Sequence, residues 1–157
     1  MNQTNTLKKT QRTYIAIAFS LLLLAVAVFY LIQSGNISKG SSYMSILFKA
    51  VPMSIVIGLS ASFYLGNKHL KEARKAKNLS SKLDYYKKSV FVKNLCLAIP
   101  GYLASIAAIM SGETQFLFIA LAVLVVMLIA FPSNKKASSQ LELSDNEAAE
   151  LKKWMTA

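Results

Sequence analysis

The chain has 157 residues, 54% of them apolar, with a mean hydropathy of +0.42 and a formal net charge of +11. A soluble domain of this size needs polar helix faces that alternate with apolar ones. Four long uncharged runs show no such alternation, so the composition excludes an ordinary soluble domain. These runs are Tyr14–Ile32, Ala50–Leu65, Leu95–Met110 and Phe116–Phe131.

Each run has the composition of a membrane-spanning helix. A hydrocarbon core of ~30 Å requires ~20 mostly apolar helical residues, and each run approaches that length with its uncharged flanks. Backbone polar groups in lipid must be satisfied within the segment, which favours helices. The sequence predicts an all-α, integral membrane bundle of four transmembrane helices in residues 1–132, at about 14–33, 43–66, 82–111 and 114–132.

Lysine and arginine fall almost wholly on alternate sides of these helices. Sixteen of the 18 such residues lie in three segments on one side, namely the N-terminal arm, the segment from helix 2 into helix 3, and the tail. The other two are Lys39 and Lys49. Basic residues concentrate in cytoplasmic segments of membrane proteins. We therefore expect a multi-pass protein of the cytoplasmic (inner) membrane with both termini in the cytoplasm.

Small residues recur at every fourth position in two of the predicted helices, which places them on one helical stripe. In lipid, such stripes allow close helix packing. Packing within one subunit and packing between subunits both fit this pattern. The predicted packing interface comprises Ala50, Ser54, Gly58, Ser62 and Gly66 of helix 2 with Pro100, Ala104 and Ala108 of helix 3.

Pro100 lies inside the predicted helix 3. It has no N–H, so the carbonyl of Cys96 lacks its helical donor. The hydrogen bond to that carbonyl is expected to come from Tyr102, Ser105 or a neighbouring helix. A structural kink and a hinge beside a small polar pocket both fit this feature.

The predicted loop 67–88 is the most basic part of the chain. A basic cluster next to a membrane attracts anionic lipid head groups, at ~1 kcal/mol for each lysine or arginine. A simpler role of the same residues is to set the orientation of the helices in the membrane. No nucleic-acid module accompanies the charge, so nucleic acid is not an expected partner. The predicted lipid-contacting residues are Lys68, Lys71, Arg74, Lys75 and Lys77.

Residues 133–157 form a predicted cytoplasmic tail. Residues 133–140 are polar and expected to be flexible, whereas Ser144 and Glu147 form a capping box before a short amphipathic helix at 145–156. A helix this short is marginal alone. We expect Leu151, Trp154 and Met155 to dock on a partner protein or on the membrane surface.

The residues that usually perform chemistry are scarce. Charged or readily ionised groups deep in a membrane mark ion and proton pathways, and the four runs contain no Asp, Glu, Lys, Arg or His. Catalytic metal centres need several His, Cys or carboxylate ligands, but the chain has one His and one Cys. The sequence therefore predicts a protein without a cofactor or metal that is not an enzyme.

Several short features resemble a group of small bacterial four-helix membrane proteins, some of which are labelled as transporters. These features are Pro100, a short Ser-Gly turn, and Phe131-Pro-Ser followed by Lys and Leu-Glu-Leu-Ser. The resemblance covers roughly helices 2 to 4 and the start of the tail, and it implies the same membrane fold. An acidic residue often precedes the helix 3 proline in that group. Here Ala98 and Ile99 occupy those positions, which disfavours transport.

The predicted function is that of a non-enzymatic accessory or interaction protein, a subunit of a larger membrane assembly that contacts another membrane protein or its own copies. Two alternatives remain. An enzyme acting on lipids would need His69 and Asp84 in one pocket. An oligomeric carrier or pore for a neutral or apolar solute would need a cavity lined by Ser20, Ser54, Ser60, Ser62, Tyr102 and Ser105.

Overall fold

The computed structural model describes residues 4–37, 40 and 44–156, with backbone alone for 4–6, 134, 150 and 152–156. All regular structure in this part of the chain is helical, so the predicted all-α class is confirmed. The six helices are α1 (Thr4–Gln33), α2 (Met44–Lys75), α3 (Leu79–Ser111), α4 (Gln115–Ala130), α5 (Asn134–Leu141) and α6 (Asp145–Thr156).

Three of these helices are long and apolar enough to cross a membrane, namely α1 from Leu7 onwards, α2 and α3. The 16 residues of α4 extend only about 24 Å at the α-helical rise. α4 and α5 reach a spanning length only together, and they are bent by 72° at the break between them. The structure therefore supports three to four candidate membrane spans.

The central helix of the bundle is α3, which packs against α1, α2 and α4 and most extensively against α2. Small buried residues such as Ala98, Gly101 and Ala104 bring its backbone close to its neighbours. The outer faces of α1, α2 and α4 expose many large apolar side chains, with Phe63, Phe118 and Ile129 at least 70% exposed. This exposure is consistent with helices that could cross a membrane.

Helices next to the basic segments are longer than the sequence predicts. α1 begins at residue 4 instead of 14, α2 ends at 75 instead of 66, and α3 begins at 79 instead of 82. The predicted loop 67–88 is therefore mostly helix, and its connection is confined to 76–78. The reason is that Leu70, Ala73, Leu79 and Leu83 are buried, so apolar packing continues beyond the uncharged runs. Tyr43, the predicted start of helix 2, lies outside the described residues, as does Lys39.

These extensions pack with the tail into a second helical layer, which we call the cap. The tail contains an additional helix, α5, where residues 133–140 were expected to be flexible; Ser133 caps it by accepting a hydrogen bond from the Lys136 N–H. Ser144 and Glu147 form reciprocal hydrogen bonds at the start of α6. The core of the cap comprises Leu7, Leu70, Ala73, Leu79, Leu83, Ala137, Leu141 and Leu151.

Two ion pairs join the tail to the rest of the cap. Arg74 Nη1 lies 2.8 Å from Glu142 Oε1, and Lys82 Nζ lies 2.7 Å from Glu147 Oε1. The Lys82–Glu147 pair is the more buried of the two, so water screens it less. This ion pair connects α6 to the first turn of α3.

We expect the docking of α6 to weaken in acid. The hydrogen bond from Lys82, and then that from the Ser144 N–H, lowers the pKa of Glu147 from its ordinary value of 4.5. A carboxylate with a lowered pKa stabilises the folded state above its ordinary pKa, and this contribution is lost as the pH falls through the lowered value. The amide protection factors across 145–151, which take out the slowing of intrinsic exchange by acid, should fall below pH 4.5. Glu147→Gln should remove much of that pH dependence, whereas Glu113→Gln, at the other end of the bundle, should preserve it.

Candidate functional site

A cavity of about 350 Å³ lies between α1 and α3, where the bundle meets the cap. Its polar and charged side chains come from just over one turn of α1 and about three turns of α3. Positions 84, 87, 91 and 94 share one face of α3. The charged residues lie toward the cap and the uncharged ones toward the bundle. Its lining comprises Thr10, Thr13 and Tyr14 of α1 and Asp84, Lys87, Lys88, Val90, Phe91 and Asn94 of α3.

Asn94 is the most unusual residue of this lining. The side chain is 1% exposed, and its Oδ1 has no hydrogen-bond partner among the described residues. Leaving a buried polar group unsatisfied costs about 1–3 kcal/mol, so each such group in a native structure calls for an explanation. Asn94 is not among the sequence-predicted site residues, although its amide directly precedes the uncharged run of helix 3.

A smaller cavity of about 170 Å³ lies beside the first one, and Tyr14 lines both. It contains two ammonium groups, but both already have protein partners. Lys93 Nζ donates to Asn67 Oδ1 at 3.5 Å, and Lys136 Nζ donates to the Ile129 carbonyl. This cavity is therefore the weaker candidate for a ligand site.

Gly58 lies at a close contact between α2 and the backbone of α3. A Cβ atom at this position would lie 2.6 Å from the Cys96 carbonyl oxygen and 2.7 Å from Pro100 Cγ. The α2 backbone thus covers the carbonyl that Pro100 leaves without a donor. Tyr102 hydrogen bonds to α1, and Ser105 donates within α3 to the Gly101 carbonyl.

The structure places the rest of the predicted packing interface in three environments. Ser62 and Gly66 are buried against α3, where the Ser62 hydroxyl donates to the Lys93 carbonyl at 3.4 Å. Ala50 is exposed and Ser54 half-buried, so the stripe contacts α3 over only part of its length. Ala104 and Ala108 are buried in a cluster with residues of α1 and α4.

The predicted lipid-contacting residues lie on the last turns of α2 and just beyond it. Lys68, Lys71, Lys75 and Lys77 are exposed. Arg74 instead contacts the tail, because its Nε donates to the Gln140 carbonyl at 2.9 Å in addition to the ion pair with Glu142. All five residues are exposed, and Arg74 alone also holds the tail.

His69 and Asp84 are not brought together. His69 Nδ1 lies 3.2 Å from Glu72 Oε2 on α2, whereas Asp84 lines the cavity between α1 and α3. No described cavity contains both residues.

The six hydroxyl residues proposed for a pore are dispersed. Ser20 hydrogen bonds to Tyr102 at an exposed position, Ser54 donates to the Val51 carbonyl, and Ser105 is buried inside α3. Ser60 is exposed, and Ser62 lines the smaller cavity. No described cavity is lined by these residues together.

The tail docks on the chain itself through Leu151, which is 2% exposed within the cap. The side chains of Trp154 and Met155 lie outside the described residues. Within the described ranges there is no group of three or more His, Cys, Asp or Glu residues placed to hold a metal ion. No family model, curated protein or solved structure matches this chain.

Proposed function

We propose that this chain is a non-enzymatic accessory protein of the cytoplasmic membrane and a subunit of a larger membrane assembly. The observation that carries this proposal is an open groove between α2 and α4. Both helices pack on α3 but share no extensive contact with each other. Leu97, Pro100 and Val123 lie in this groove, and its other lining residues are Ile55, Leu59, Ile119, Ala122 and Val126.

The occupant that we propose is a membrane-spanning helix of another subunit, which would lie across the groove and insert side chains into its volume of about 90 Å³. All of its lining side chains are apolar, so they suit a partner inside lipid and not one in water. Close helix approach in lipid requires small surfaces, and the exposed Ala122 provides one at the edge of the groove. The Gly58–Ser62–Gly66 stripe packs within the subunit, so the groove is the more suitable surface for a second protein.

The proposed topology has four spans with both termini in the cytoplasm. Uncharged flanks at 114 and 131–134 extend α4 toward a spanning length, and the cap faces the cytoplasm because it carries most of the basic residues. Lys68 and Lys71 lie within about 8 Å of Gly66 along α2, close enough for anionic head groups; Lys75 and Lys77 lie farther out. On a Cys96→Ala background, an impermeant thiol reagent should label Glu113→Cys in intact cells but not Ser139→Cys.

Site-specific crosslinking in the native membrane tests the accessory role. On the Cys96→Ala background, Leu59→Cys and Ala122→Cys place a thiol in the groove, and Phe29→Cys places one on the exposed face of α1. We expect a discrete adduct, to one partner protein or to a second copy, from the two groove positions only. Adducts of equal yield from Phe29→Cys, or none from the groove, would contradict the proposal.

A further inference from the structure

We propose that a groove between α1 and α4 binds an anionic phospholipid, with an acyl chain against its apolar walls and the phosphate beside Lys8 and Arg12. The groove has a volume of about 540 Å³, which is within the range of small-molecule sites. Its walls include Ile15, Ala18 and Phe19 of α1 and Leu121, Val125 and Leu128 of α4. The inference uses the membrane insertion proposed above but not the subunit role, and it concerns a surface different from the groove between α2 and α4.

The length of this groove corresponds to one leaflet of a bilayer. One end is formed by Tyr14 and Phe131, which are the first residue of the first uncharged run and the last residue of the fourth. This end therefore lies where hydrocarbon begins. From Tyr14 to Leu22 the groove extends about 12 Å along α1, whereas half of a ~30 Å hydrocarbon core is about 15 Å. An acyl chain likewise begins at the boundary and ends near the midplane.

Contacts within the protein fix the shape of the groove at this end. The Tyr14 hydroxyl donates to the Met127 carbonyl at 2.6 Å. The Tyr14 ring also meets the Phe131 ring edge to face, with 5.7 Å between the centroids. Ala18, which is half-buried, has the smallest side chain of the lining, so the groove remains open beside it. Because the protein alone makes these contacts, little ordering of side chains is needed when a chain binds.

Basic side chains of α1 lie on the head-group side of the apolar walls. Lys8, Arg12, Ile15 and Phe19 follow one another at intervals of four, three and four residues, so they share one face of α1. Arg12 lies about 3 Å and Lys8 about 9 Å beyond Tyr14 along the helix axis. Within the described part of the chain, neither forms an ion pair or a side-chain hydrogen bond. Both are therefore available to a phosphate.

The charge at this end of the groove favours an anionic head group. Gln11 Nε2 donates to the Pro132 carbonyl at 2.9 Å, which joins this level of α1 to the start of α5. The segments α1, α4 and α5 contain no Asp or Glu, so no carboxylate on them offsets the basic residues. Each basic residue near an anionic membrane surface contributes about fivefold in affinity. The groove between α2 and α4 has no such end, because its lining lies wholly within the uncharged runs.

Equilibrium binding to the purified, delipidated full-length protein in a non-ionic detergent tests this assignment, with phosphatidylglycerol as the probe. Phosphatidylcholine with the same acyl chains lacks the net negative charge, and glycerophosphoglycerol lacks the chains. We expect phosphatidylglycerol to bind about tenfold more tightly than either, because only this lipid matches both the basic end and the apolar walls. Equal affinities for phosphatidylglycerol and either comparison compound would overturn the assignment. No partner protein takes part, so this result is independent of the crosslinking test.

Two double variants with the same change in net charge locate the head group. Lys8→Gln/Arg12→Gln should lower the affinity for phosphatidylglycerol about tenfold and leave the affinity for phosphatidylcholine unchanged. Lys75→Gln/Lys77→Gln removes two exposed charges outside the groove and should change neither affinity. Equal losses in the two double variants would refute the site.

A matched pair of alanine substitutions on α1 locates the acyl chain. Ala18→Phe should lower the affinity for phosphatidylglycerol about tenfold, because the added ring fills the groove. Ala16→Phe, at an exposed position outside the lining, should have no such effect. Equal affinities of the two variants would show that the chain does not lie in this groove.

Discussion

Gly58→Leu is expected to destabilise the bundle by about 3 kcal/mol and to separate α2 from α3. The backbone of α2 is so close to α3 at this residue that even a Cβ atom would overlap the Cys96 carbonyl oxygen. A backbone carbonyl cannot move aside as the end of a flexible side chain can. The two helices must therefore separate, and the dispersion contacts between them are lost along the interface.

Thermal unfolding in detergent measures this effect, and Ser60→Leu is the matched control. Ser60 lies two residues farther along α2 and is exposed, so leucine there should not force α2 away from α3. Gly58→Ala should fall between the wild-type protein and Gly58→Leu, because its single methyl group already contacts the carbonyl. Similar melting temperatures for Gly58→Leu and Ser60→Leu would show that α2 and α3 do not pack through this stripe.

Leu141→Ala is expected to release the tail from the cap. The side chain is 1% exposed and fully enclosed by other apolar groups, and truncating such a leucine costs about 2–5 kcal/mol. α5 has only eight residues, too few to persist without packing. The loss should therefore unfold α5 and expose residues 133–144 to proteases while the membrane-length helices stay intact.

Limited proteolysis followed by mass spectrometry measures this release. Leu143→Ala provides the comparison, because Leu143 is only partly buried at the margin of the same core. It should increase the rate of tail cleavage much less than Leu141→Ala. Equal cleavage rates in the wild-type protein and Leu141→Ala would mean that the tail is not held by this core.

Several properties of the chain follow from local composition and needed no tertiary information. Uncharged runs such as Tyr14–Ile32 indicate long apolar helices, because a backbone in an apolar environment must satisfy its hydrogen bonds internally. The scarcity of His, Cys and carboxylate residues disfavours metal chemistry in the same direct way. The capping box of α6 was visible as well, since Ser144 and Glu147 interact across a single helical turn.

The cap and the cavity depend on contacts between segments that are distant in the chain. The local sequence only weakly indicates a helix at α5. The segment is helical because Ala137 and Leu141 are buried in one core with the extended ends of α2 and α3. The sequence likewise does not indicate that the amide oxygen of Asn94 is unpaired, because the absence of a partner depends on the side chains that surround it. Composition alone specified helices and their apolar character, as these arise from interactions within a few residues. The arrangement of the helices determined the docked tail and the polar cavity, since burial and hydrogen-bond satisfaction depend on the whole surrounding fold.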